Sequence, residues 1–107
     1  MKSVILSMIA IAGLTGAGAA LAAEDVATLL KSNNCMLCHQ MEGRKAGPGF
    51  MDIAKRYKGE AGVAAKLEAK VAKGSSGVWS TMPMPAMSTV KAEDIKAMVN
   101  YILSQTK

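Results

Sequence analysis

Cys35-Met36-Leu37-Cys38-His39 places two thiols and an imidazole within five residues. C-x-x-C-H is the attachment signature of a c-type haem. Its two-residue gap sets the thiols at the separation of the two haem vinyl groups, so each sulfur can add across a vinyl and become a thioether. The imidazole of the next residue then lies under the iron and can ligate it. His39 is the single histidine of the chain, which makes its place in the motif specific. A sixth iron ligand must therefore come from another residue type. Methionine thioether is the obvious one, and His/Met ligation raises the potential relative to His alone. Met82-Pro83-Met84-Pro85-Ala86-Met87 offers three candidates. Prolines on both sides of Met84 restrict φ and remove two backbone N–H groups, which suits a ligand that must stay in place when iron changes oxidation state.

Other chemistries use the same residue types. A C-x-x-C pair can be a redox disulfide, but that motif belongs to a βαβ setting, and no period-2 run of β-branched residues occurs here. Zinc needs a fourth ligand, and Cys35, Cys38 and His39 supply three with no second C-x-x-C. Copper(I) is selected by soft thiolate and thioether ligands. The methionine loop together with the two thiols makes a copper(I)-binding module the principal alternative to a haem protein. An iron left without a sixth protein ligand would instead suit a haem enzyme or gas sensor.

The N-terminus bears on where such chemistry takes place. Met1-Lys2 is a short basic start, Val4 to Leu14 is apolar except for Ser7, and small residues follow to Ala20-Leu21-Ala22. This is the layout of a secretory signal peptide, with cleavage after Ala22 or Ala23. Val4 to Ala23 is also long enough to span a membrane. Its second half is Gly and Ala rather than Leu and Ile, and no basic stop-transfer cluster follows. Removal of residues 1–22 leaves an 85-residue domain at 23–107 with a net charge of +4. Export to the periplasm, where bacteria attach c-type haem, agrees with the motif. It makes nucleic acid an implausible partner, and no basic run exceeds two residues.

The elements that must position these residues read as four helices. The first, from Asp25 to Asn34, carries Val26, Leu29 and Leu30 on one face. The second, Asp52 to Lys58, is short. The third, Glu60 to Lys73, has Val63, Leu67 and Val71 on one stripe and is stopped by Gly74. The fourth, Lys91 to Gln105, has Ile95, Met98, Val99, Ile102 and Leu103 at i, i+3, i+4, i+7 and i+8. Two stretches remain irregular, Met41 to Phe50 and Gly74 to Thr89. The second holds Val78, Trp79, Met82, Met84 and Met87, so it is expected to pack on something apolar. With only four aromatic residues in the chain, a short domain lacks the means for a self-sufficient core. A haem macrocycle supplies the missing apolar mass.

From Asp25 to Lys107 the chain resembles the small bacterial class I cytochromes c of the c-551/c-552 type. The resemblance rests on Cys35-x-x-Cys38-His39, Gly47-Pro48, Gly74-Ser75-Ser76-Gly77-Val78-Trp79, Pro83-Met84-Pro85 and Tyr101-Ile102-Leu103-Ser104. It implies an all-α class I cytochrome c fold wrapped round one covalent haem c, with the N- and C-terminal helices crossing. It implies Met84 as the distal ligand opposite His39. It implies that Pro48 offers its carbonyl to Nδ1–H of His39, and that Trp79 donates its indole N–H to a haem propionate with Lys70 nearby. The function implied is single-electron transfer between periplasmic partners, not catalysis. A quinol-oxidising complex would be the donor, and a nitrite reductase, cytochrome c peroxidase or terminal oxidase the acceptor. The sequence departs from the pattern after Pro85. Ala86 and Met87 stand where relatives commonly have a further proline and then an amide residue that contacts the ligand sulfur.

Overall fold

The structure, a computed structural model, describes residues 23–79 and 82–105. The stretch read as a signal peptide, residues 1–22, lies outside the described residues. Four helices appear among them: α1 (Ala23–Ser32), α2 (Phe50–Arg56), α3 (Val63–Lys73) and α4 (Ala92–Leu103). No strand is present among the described residues; an isolated antiparallel pair, Ser75 with Met84, is the nearest approach to one.

The most apolar helix organises the rest. Helix α4 packs against α1, α2 and α3. It buries Ile95, Met98 and Val99, three residues of the stripe that the spacing predicts. Val26 and Leu30 from α1 and Phe50 from the start of α2 complete the central cluster. Acidic Glu93 and Asp94 occupy the first turn of α4, where the helix dipole favours them. No side chain caps that helix: Lys91 holds the N-cap position in extended backbone.

The helix ends are set by local geometry that hydrophobic spacing does not contain. Helix α1 stops at Ser32 because Asn34 turns into the left-handed region, at φ 62°. The Asn33 amide closes the last turn by donating to the Leu29 carbonyl at 2.9 Å. Helix α3 begins at Val63, three residues after the expected start, since Gly59 and Gly62 both adopt positive φ and hold residues 57–62 in turns. Helix α2 begins at Phe50, two residues early, where the Phe50 N–H donates to the Gln40 carbonyl at 2.9 Å.

Candidate haem site

A single 3-10 turn, Cys35–Leu37, carries the C-x-x-C-H motif. The N–H groups of Cys38 and His39 both donate to the Cys35 carbonyl, at 3.2 and 2.9 Å. That turn brings both thiols and the imidazole to one wall of a cavity of about 450 Å³. Cys35 is half-buried and Cys38 exposed. Burial pushes the Cys35 thiol above its usual range; its backbone hydrogen bond works against this, and the nearby Cys38 adds to it. At neutral pH Cys35 is therefore a thiol rather than a thiolate.

The imidazole is held from three sides. Nδ1 of His39 lies 2.8 Å from the Pro48 carbonyl oxygen. That oxygen can only accept, so Nδ1 carries a proton, which in the neutral tautomer leaves the lone pair on Nε2. Phe50, 2% exposed, stacks on the ring with centroids 5.4 Å apart. Gly47 closes the third side: a Cβ there would stand 2.7 Å from Cε1 of His39. Neither Phe50 nor the reason for Gly47 is visible in the motif, because both act through contacts made only after the loop folds back. Gly47→Ala is expected to tilt the ring away from Pro48, costing about 1–3 kcal/mol as small-to-large changes in packed sites do. Denaturant unfolding of the purified variant checks it; an unchanged midpoint would show that the ring yields freely.

The methionine loop forms the opposite wall. Ser75 and Met84 exchange two backbone hydrogen bonds, N to O at 3.0 and 2.8 Å. The Met87 N–H donates to the Val71 carbonyl at 3.0 Å, tying the loop to α3. Gly74 does more than end that helix. It sits at φ +83°, and a Cβ on it would meet the Met84 carbonyl oxygen at 2.8 Å. Any side chain at Gly74 would push the loop off α3. Met84 is half-buried, Met82 is 72% exposed, and both line the cavity together with Met87. Pro48, Lys70 and Trp79 line it too, so the candidate ligands and the candidate haem-contact residues meet at one place. The remaining wall is apolar, with Leu30, Leu67, Val71, Ile95, Met98 and Ile102.

A model of the cytochrome c family matches residues 23–106. The chain belongs to the cytochrome c family. This cytochrome is 41% identical over 104 residues to the cytochrome c-552 of Nitrosomonas europaea, covering 97% of this chain and 98% of that one. It is 35% identical over 101 residues to the cytochrome c-551 of Pseudomonas aeruginosa, covering 94% of each. The crystal structure of wild-type Nitrosomonas europaea cytochrome c552 superposes with a TM-score of 0.70 at 44% identity, over 73% of this chain and 96% of that one. The all-α architecture is thus the cytochrome c fold. Members of the family are electron carriers with one covalently bound haem c. The cytochrome's cavity fits that group on its own terms: an apolar slot between a wall with two thiols and a fixed imidazole and a wall with a thioether. The comparisons give the copper(I) alternative no support.

Proposed function

We propose that the cytochrome is exported, loses residues 1–22, and carries single electrons between redox partners in the periplasm. Cys35 and Cys38 would hold the haem through thioethers, and Nε2 of His39 and the sulfur of Met84 would bind its iron. Bound there, haem c supplies a one-electron iron couple. The observation that carries this reading is the convergence of both thiols, the imidazole and Met84 on one apolar cavity. Pro48 orients the imidazole and, by accepting a hydrogen bond from Nδ1–H, makes Nε2 a better donor. Trp79 and Lys70 line the same cavity and are the proposed partners of a propionate. With both His39 and Met84 bound to it, the iron would have no position left for a substrate, so the reading is transfer rather than catalysis. No helix among the described residues is long and apolar enough to cross a membrane.

A visible spectrum tests the reading. The reduced form should give a c-type spectrum, and the oxidised form the weak far-red band of methionine-to-iron charge transfer. A protein with no Soret band would return the question to copper. A high-spin ferric spectrum would mean an open sixth position.

The docking face follows from the cavity rim. Leu37 and Met82 line the cavity and are 69% and 72% exposed, while Arg44, Lys45, Lys55 and Arg56 are exposed basic residues. A partner would meet apolar side chains first, with charge in a supporting role. Exposed charges are screened over about 10 Å at 0.1 M salt. Association with a redox partner is therefore expected to slow only moderately from low to physiological salt in stopped-flow measurements. A fall of several orders of magnitude would contradict an apolar face.

A further inference from the structure

Two guanidinium groups join the walls of the cavity. Arg44, from the loop between the 3-10 turn and α2, donates from Nη2 to the Trp79 carbonyl at 2.8 Å. Arg56, the last residue of α2, donates from Nη1 to the Val78 carbonyl at 3.2 Å. Its guanidinium carbon lies 4.4 Å from the centroid of the Trp79 ring and 5.6 Å from that of Tyr57. Tyr57 in turn meets Trp79 edge-on, at 6.4 Å and 78°. Residues 78 and 79 are therefore gripped from the side of the molecule that carries His39 and Pro48.

The grip acts on a closed loop. Ser75 and Met84 form its neck through their paired backbone bonds, and residues 78–79 lie within it. A loop held only at its neck can swing as a body, and Met84 sits at that neck. Held also at 78–79, it has two anchors on different elements. We infer that Arg44 and Arg56 form a clamp that keeps residues 75–79 closed against the histidine wall, making them positioning residues for Met84, whose backbone is bonded to Ser75. The clamp needs the shape of arginine, not just its charge. A planar guanidinium donates from one edge while its face stacks on an aromatic ring, and a lysine ammonium cannot do both. The inference rests on the reading of Met84 as an iron ligand only for its effect on the haem; the closure itself is a property of the chain.

The two parts are separable by experiment on the full-chain holoprotein. Single exposed contacts of this kind are each worth about a three- to tenfold change in a local equilibrium. The variants are Arg44→Gln, Arg56→Gln, the double change, and Arg56→Lys. Hydrogen exchange at the bonded amides of Ser75 and Met84 reads loop opening whatever Met84 binds. The rate at which added imidazole bleaches the far-red band of the ferric protein reads release of Met84. The double variant is expected to raise both by about tenfold or more, with Leu30 in α1 exchanging as in the wild type and Arg56→Lys behaving like Arg56→Gln. Exchange within twofold of wild type in the double variant would overturn the clamp. So would equal acceleration at Leu30, which would mean general destabilisation, or full rescue by Arg56→Lys, which would assign the effect to charge alone. A wild-type protein without the far-red band would overturn the ligand reading instead, and the exchange data would still decide the clamp.

Discussion

Cys35→Ser or Cys38→Ser is expected to abolish stable holoprotein when the chain is exported, and to leave little folded protein of any kind. The reason is the thinness of the core. Val26, Leu30, Phe50, Ala54, Val63, Ile95, Met98 and Val99 are its buried hydrophobic residues among those described, while Leu67, Val71 and Ile102 stay half-buried around the cavity. Left unfilled, the cavity of about 450 Å³ exposes its apolar wall to water, and each side chain so exposed forgoes about 1.5–3 kcal/mol of burial, against a whole stability of about 5–15 kcal/mol for a small domain. The chain therefore depends on what fills the slot, and the thioethers keep it filled. Periplasmic yield, the Soret absorbance and far-ultraviolet circular dichroism of each variant measure this. A well-folded, haem-free variant, or two reactive thiols in denatured wild-type protein, would sink the idea.

The second large effect is spectroscopic. Met84→Ala is expected to remove the far-red band entirely, to turn the ferric form high-spin or water-ligated, and to lower the midpoint potential, since the methionine ligand raises it. The fold should survive, because the Ser75–Met84 bonds are between backbone atoms and do not need the side chain. Met82→Ala and Met87→Ala should keep the band. Their backgrounds differ: Met82 is 72% exposed, and Met87 is placed by its N–H bond to the Val71 carbonyl. Loss of the band in Met82→Ala with retention in Met84→Ala would mean that the loop presents a different sulfur.

The parts of the site legible in the sequence are those whose chemistry is carried by nearby residues. Cys35, Cys38 and His39 fit one turn, so spacing alone suggests their tasks, whereas Met84 stood among three candidate methionines until resemblance to a family pointed to it. Resemblance to a family added Pro48, Trp79 and Lys70. The helices were legible from their apolar stripes, but their ends were not. Asn34, Gly59 and Gly62 set those ends through left-handed backbone, and Phe50 through a bond to the Gln40 carbonyl across a loop. Least legible were contacts between residues far apart in the chain. Arg44 reaches across 35 residues to Trp79 and Arg56 across 22 to Val78, and each reads in the sequence as an ordinary surface charge. Gly74 was half legible: its role as a helix stop follows from its place, but its closeness to the Met84 carbonyl exists only in the folded chain.

The pairing of Ser75 with Met84 also bears on how the chain behaves in company. A lone antiparallel pair is the seed from which a sheet edge could grow, and an exposed edge invites strands from other molecules. Here growth is blocked along the chain. Pro83 and Pro85 have no N–H to offer, and the one donor between them, on Met84, is already spent on Ser75. The segment from 83 to 85 therefore has no free backbone donor for a second chain. In the folded cytochrome the Met84 segment is thereby protected from sticking to its copies through backbone donors.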